Sequence, residues 1–429
     1  MKQGQGHGRR AARISVLTGV LAAAMTFAAG AASAATLTVW CWDPDFNVPA
    51  MQEAAARYAK INPDVKITVD NIAQEDIKQK LQTQLMAGVT DGLPDIVLIQ
   101  DDNAQRFLQS FPSAFEPLSD AIDMKKFAAY KVAAATLKGK SYSVPFDSGV
   151  TGLFYRTDYM EKAGYKPSDL NDVTWDGLIK IAKDVKAKTG HDFIDLDFNE
   201  AGLVRAMMQS AGRWFFKPDG SLDILDNAPL KAALQTYADL WKAGIVKPVS
   251  GWSAYTAAFT AGDVVAVPSG AWMAGTIKGS PDQSGKWGIA PLPKLDGVKG
   301  ATHYSNWGGS SWYVLTSSKD KKDAIDFLNK IWAGDIGFYQ DILVKQGAVG
   351  SLLAARKGDA YKAKDPFFGN QPVWENFSEW LEKVPSVDYG TFTQEANAAI
   401  QAQLPALAKG GSVDDALKAI NDRVEQQIQ

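Results

Sequence analysis

Six short segments of this 429-residue chain place an aromatic ring, a carboxylate or an amide where the pattern reads as a strand end or a turn. They are Trp42-Asp43, Asp101-Asp102, Phe146-Asp147, Asp197-Phe198-Asn199, Ser269-Gly270-Ala271-Trp272-Met273 and Asn306-Trp307-Gly308-Gly309. Ionised carboxylates accept hydroxyl protons, amides both donate and accept, and flat rings cover apolar C–H surface. A ligand with hydroxyls at its edges and C–H patches on its faces needs that mixture, and a carbohydrate is such a ligand. A charge-assisted hydrogen bond contributes about 1.5–3 kcal/mol. A few of these with one or two stacked rings reach the roughly 8 kcal/mol of micromolar binding.

Tryptophan alone does not mark a site, because most of the 13 have a packing role available. Trp40 lies on an alternating strand and reads as core, and Trp175, Trp312 and Trp332 read as packing residues. Trp42 is balanced between the two roles, and Trp214 and Trp252 are undecided. Trp272 and Trp307 sit beside glycines in loop contexts and read as ligand contacts, Gly308 being placed where backbone can approach a ligand closely.

Other chemistry is poorly supported. Gly139-Lys140-Ser141 resembles the end of a phosphate loop, but the glycine needed five residues earlier is Ala134. Dinucleotide, nucleophile-elbow and H-E-x-x-H patterns do not occur. His191, His303 and Cys41 are too few for a His/Cys metal site once His7 leaves with the leader, and no calcium loop is matched. No cofactor is expected. The rival function is a secreted glycoside hydrolase using paired carboxylates, with Asp101-Asp102, Asp147 and Asp195/Asp197 as candidates. For each of those, a solvated loop carboxylate is the plainer reading.

The elements that must hold these residues alternate in type. Residues 36–42 alternate with Leu37, Val39 and Cys41 on one face and Thr38, Trp40 and Trp42 on the other. A helix with Pro49 in its first turn follows, then a strand through Val65, Ile67 and Val69, a helix through Ile77, Leu81 and Leu85, and an apolar strand at 95–99. Strands alternating with helices predict a parallel α/β sheet, with ligands at the carboxyl ends of its strands. Extended stretches at 143–146 and 152–156, and the proline-broken run 287–293, predict crossings between two lobes. Helices are expected near 175–188, 203–211 and 229–243, along the stripe Ala324, Phe327, Leu328, Ile331 and Trp332, and after Ser412. The expected organisation is lobe I from 35–147 with 290–345, and lobe II from 148–289 with 346–429.

The first 34 residues have another purpose. Lys2, Arg9, Arg10 and Arg13 precede an apolar run from Ile14 to Ala31, and Ala32-Ser33-Ala34 forms an A-x-A site with cleavage after Ala34. The run is Ala-rich and short for a membrane anchor, and Ala11-Ala12-Arg13 after Arg9-Arg10 does not suit twin-arginine export, so the segment reads as a Sec signal. Its removal takes away those four positive charges and no negative one, moving the net charge from −3 to −7. An acidic mature chain argues against nucleic acid or an anionic membrane as partner. The single cysteine, Cys41, permits no internal disulfide and lacks a lipobox.

Taken together, Leu37-Thr38-Val39-Trp40, Pro94-Asp95-Ile96-Val97, Val144-Pro145-Phe146-Asp147, Leu153-Phe154-Tyr155-Arg156, Thr174-Trp175-Asp176, Gly270-Ala271-Trp272-Met273 and Gly308-Gly309 resemble, in order and spacing, the solute-binding proteins of carbohydrate ABC importers of the maltose-binding type. The resemblance implies a two-lobed fold with a hinge, and C-terminal helices returning to the second lobe. It also implies sugar contacts at Trp42, Asp43, Asp102, Asp147, Trp272 and Trp307, with a looser match at Asp197. A monomeric periplasmic protein that passes a di- or oligosaccharide to a membrane permease is the function it implies. Val39-Trp40-Cys41-Trp42-Asp43 and Leu108-Gln109-Ser110-Phe111-Pro112 most resemble lactose-binding members.

Overall fold

The computed structural model describes Met1 and residues 35–428 apart from Pro218; the signal and its cleavage site fall outside the described residues. The strands are β1 (Ala35–Cys41), β2 (Val65–Asn71), β3 (Ile96–Gln100), a small hairpin of β4 (Thr136–Leu137) and β5 (Lys140–Ser141), β6 (Ser143–Pro145), β7 (Thr151–Arg156), β8 (Asp192–Asp197), β9 (Val246–Val249), β10 (Val264–Gly270), β11 (Trp287–Ala290) and β12 (Ser310–Val314). Two five-stranded sheets result, ordered β2-β1-β3-β12-β6 and β11-β7-β10-β8-β9. In the first, β1 runs parallel to β2 and β3, and β12 is antiparallel to β3 and β6. In the second, β8 runs parallel to β9 and β10, and β7 is antiparallel to β10 and β11.

The alternation in β1 divides two cores. Leu37, Val39 and Cys41 join one cluster with the helix Asn47–Ala59, while Trp40 joins another with Ile77, Leu81 and Phe107. Trp175, Trp312 and Trp332 are buried as packing residues, and so is Trp214. Cys41 is free and buried, and burial pushes its thiol up to about 12, which makes it an inert core residue.

Local signals explain the helices of the second lobe. Thr174 Oγ1 accepts from Gly177 N at 3.2 Å to start the helix Trp175–Thr189, and Gly190 at φ 84° ends it. Asn227 caps the helix Ala228–Lys242 through Leu230 N. Ser412 Oγ likewise accepts from Asp415 N at the start of the final helix, Val413–Ile428. The helices Thr393–Gln401 and Val413–Ile428 add Ala396, Ile400, Leu417 and Ile420 to the second lobe's core.

Two expectations shift in detail. The helix Asp101–Ser110 starts with no intervening loop after β3, so Asp101 and Asp102 form its first turn, where the helix dipole favours negative charge. The Ala324–Trp332 stripe is an α-helix only to Phe327 and then widens into a π turn through Trp332, with Ala333 N bonding Leu328 O. Trp332 there packs edge-on against Phe146 and Phe338.

Three segments join the lobes. The chain passes from β6 to β7 through residues 146–150 and returns from β11 to β12 through residues 291–309. A third stretch runs beside the first, with Ser148 N bonding Val349 O and Ser351 N bonding Phe146 O. The carboxyl ends of β1, β3, β8, β9 and β10 lead into Trp42, Asp101, Phe198, Ser250 and Ala271 respectively.

Candidate functional site

A cavity of about 720 Å³ lies between the lobes, walled on the first by Trp42, the ends of β3 and β12 and the start of the helix Asp101–Ser110, and on the second by loops and helices carrying Glu200, Arg205, Trp252 and Trp272. Trp42, Asp43, Asp102, Asp147, Trp272, Trp307 and Gly308 all line it. A second cavity of about 230 Å³ shares Trp252, Trp272, Trp307 and Glu200 with the first, and Asp197 lines this smaller one. The sequence-predicted residues therefore gather around two adjoining compartments.

Each side chain is positioned by an identifiable contact. Asp43 sits at φ +69° after β1, and its Oδ1 accepts from the backbone N–H of Asp45 and Phe46, forming the turn into the helix Asn47–Ala59. Asp147 is buried in the first crossing, where its Oδ1 accepts from Ser310 N at 2.8 Å and Ser310 Oγ at 2.6 Å. Asp102 Oδ2 accepts from Arg205 Nη1 at 2.8 Å, and its Oδ1 from Asn103 Nδ2 at 2.9 Å. Asp197 is a loop organiser: Oδ1 accepts from Asn199 N and Nδ2, and Oδ2 accepts from Gly251 N at 2.7 Å. It thereby ties the end of β8 to the start of the helix Trp252–Thr260.

The aromatic wall is built by close backbone approach. Trp272 donates its indole N–H to Trp307 O at 2.9 Å, and Trp307 N donates to Gly149 O at 2.7 Å. A Cβ on Gly202 would collide with the Trp307 indole, and one on Gly270 would collide with the Trp272 indole nitrogen. Gly308 and Gly309 hold φ of 97° and 87°, which fits glycine in the turn ahead of β12. Trp252 lies 5.9 Å from Trp272 between ring centroids and 5.8 Å from Tyr255, so three rings form one continuous apolar surface. Trp252 is 55% exposed, a cost in water that a stacked ligand would remove.

Charge in the larger cavity is lopsided. Asp43, Asp45, Glu75, Asp102, Asp147 and Glu200 face it against Lys78 and Arg205. Such a surface repels anions and offers hydrogen-bond acceptors to a neutral polyol. Behind it, Lys131 Nζ is fully buried, 2.5 Å from Asp101 Oδ2 and 2.8 Å from Ser310 O. Burial pushes the Asp101 carboxyl up to about 6, against the pull of Lys131. Among the described residues no group of three or more His, Cys, Asp or Glu side chains could hold a metal ion.

Sequence reasoning did not single out Arg205, Glu200 or Tyr255, and it left Trp252 open. Trp252 carried a usable signal, since Ser250-Gly251-Trp252 follows a strand in the same way as Gly270-Ala271-Trp272. Arg205 carried none, because it sits on the helix Gly202–Ser210 and reaches the cavity only through the apposition of the lobes. The buried Asp195 of β8 lines neither cavity; both its oxygens lack a partner, and burial pushes its carboxyl up to about 7.

Two α/β lobes joined by three crossing segments, with a polar and aromatic cavity between them, define a two-lobed ligand-binding protein. The chain belongs to the bacterial extracellular solute-binding proteins, whose family model matches residues 53–369. It is 55% identical over 413 residues to the lactose-binding protein of Rhizobium radiobacter, covering 96% of this chain and 98% of that one. The arabinooligosaccharide-binding protein of Bacillus subtilis is 27% identical over 304 residues, 68% of each chain. In fold it matches the galacto-N-biose-/lacto-N-biose I-binding protein of an ABC transporter from Bifidobacterium longum, solved with lacto-N-biose. The TM-score is 0.77 at 21% identity, over 92% of this chain and 97% of that one.

Proposed function

We propose that this chain is the periplasmic sugar-capturing component of an ABC importer, that its ligand is lactose or a closely similar disaccharide, and that it delivers this sugar to a membrane permease. The single observation that carries the reading is the 55% identity to a lactose-binding protein, sustained over 96% of the chain. The site chemistry supports it. An uncharged disaccharide brings hydroxyl donors for the acidic cavity and a C–H face for the rings of Trp252, Trp272 and Trp307. Leu196, Leu203 and Pro268 also line the small aromatic compartment, and in this reading it takes one terminal hexose ring and leaves the second ring in the larger cavity. Asp43, Asp102, Asp147, Trp42 and the Gly308 backbone are the contacts available to that second ring.

In this reading the signal at residues 1–34 supports export to the periplasm, where the mature protein acts as a monomer that binds and releases sugar without altering it. Calorimetric titration of the mature protein with lactose, maltose and sucrose tests the reading. Lactose is expected to bind with micromolar or tighter affinity and to be recovered intact. Preference for maltose or sucrose contradicts the ligand assignment. Recovery of free glucose and galactose contradicts the binding role and points to hydrolysis.

A further inference from the structure

The helix Asp101–Ser110 of the first lobe turns one polar stripe toward the second lobe. Asp102, Arg106 and Gln109 are spaced at i, i+4 and i+7, which places them on a single helix face. Each has a partner on the far side. Asp102 meets Arg205 at 2.8 Å, Arg106 Nη1 meets Glu395 Oε1 at 2.9 Å, and Gln109 Oε1 accepts from Thr391 Oγ1 at 2.7 Å. Those partners belong to the helix Gly202–Ser210 and to the segment leading into and along the helix Thr393–Gln401, both packed in the second lobe's core. The other face of the same helix is apolar, with Ala104, Phe107 and Leu108 buried in the first lobe. The stripe is thus free to face across the cleft.

We infer that this stripe is a closure latch, and that Arg205 is a positioning residue that orients Asp102 for the sugar when the lobes come together. Arg205 lines the ligand cavity, its Nη2 lies 3.5 Å from Glu200, and its Nε is buried without a partner. The side chains of Arg205 and Asp102 are 17% and 13% exposed, so their attraction is less screened than that of a surface pair. Opening the lobes separates both ion pairs and returns four charges to water. Closing them sets the Asp102 carboxylate, fixed at Oδ1 by Asn103 and at Oδ2 by Arg205, beside the ligand. Recognition and closure are coupled through one carboxylate, and affinity for an uncharged sugar acquires a dependence on salt.

The latch rests on the cleft being the ligand site, and two arms separate the two ideas. In the first, small-angle scattering is recorded on the sugar-free mature protein and on Arg106→Glu, Glu395→Arg and the double exchange. Arg106 and Glu395 line neither cavity. Each single exchange sets like charges together and is expected to enlarge the radius of gyration, with the double exchange restoring the wild-type value. In the second, lactose is titrated into wild type and Arg205→Gln from about 0.02 M to about 0.5 M salt, across which the screening length falls from about 20 Å to about 4 Å. Wild-type affinity is expected to fall roughly three- to tenfold, in line with ion pairs of modest strength. Arg205→Gln keeps a donor for Asp102, leaves Arg106 paired with Glu395, and is expected to lose about half of that salt response on a logarithmic scale. Unchanged radii in the single exchanges overturn the latch, as does a salt-independent wild-type affinity. Failure of the wild type to bind lactose contradicts the proposed ligand, while the scattering arm still decides the latch.

Discussion

Asp195→Asn tests the electrostatics of the second lobe where the structure gives a magnitude. Asp195 is fully buried on β8, neither carboxylate oxygen has a partner, and burial pushes its pKa from 3.8 to about 7. Lys247, on the neighbouring strand, opposes that rise without cancelling it. The native state therefore holds the proton where the unfolded chain has released it. Between the unfolded pKa and about 7 the unfolded state binds fewer protons, so this group's contribution lowers stability as pH rises, and the loss is complete above the folded pKa. A shift of this size corresponds to about 4 kcal/mol at full ionisation, of which about 1.6 kcal/mol is already expressed at pH 5. Asparagine matches the neutral acid in shape and has no charge to bury. Relative to wild type, Asp195→Asn should gain about 3 kcal/mol more stability at pH 8 than at pH 5, measured by denaturant unfolding at both values. An equal effect at the two pH values would refute the reasoning, because it would mean that Asp195 ionises alike in the folded and unfolded chain.

Three further outcomes follow from the geometry. Trp252→Ala removes a half-exposed ring from the aromatic wall, so lactose affinity should fall about tenfold, the loss of one stacked ring at about 1.5 kcal/mol, with little change in thermal stability. Gly202→Ala drives a methyl group into the Trp307 indole, at a cost of about 1–3 kcal/mol for overpacking. It should shift Trp307 fluorescence and weaken lactose binding, whereas Gly244→Ala, whose Cβ would meet no atom but whose φ of +67° strains an alanine, should cost about 1–2 kcal/mol of stability and leave binding intact in the same calorimetric assay. Lys131→Met leaves Asp101 buried without its cation and should destabilise the fold by about 3–5 kcal/mol in urea unfolding.

The sequence showed much of the scaffold because its signals are local. Alternation in β1 separated Leu37, Val39 and Cys41 from Trp40 as the two cores do. The helices expected near 175–188 and after Ser412 start where the Thr174 and Ser412 hydroxyls cap them. Strand ends pointed to Trp42 and Trp272, since β1 and β10 both end at the cleft, and flanking glycines in a loop pointed to Trp307. Arg205 and Tyr255 were not legible, because each faces the site from a helix whose placement depends on how the lobes and the strand–helix layers pack. The widened turn at Leu328–Trp332 was hidden for a similar reason: its apolar spacing suits an α-helix as well as a π turn. Asp197 read as a binding carboxylate, and its position at the pocket is matched by three backbone and amide bonds that organise the loop before Trp252.

A crystal structure of the mature protein with lactose would show whether the sugar sits in the cleft between the lobes. One hexose ring is expected in the compartment walled by Trp252, Trp272 and Trp307, with the second ring among Asp43, Asp102 and Asp147. Lactose bound outside the cleft, or a cleft left empty at saturating sugar, would contradict this placement.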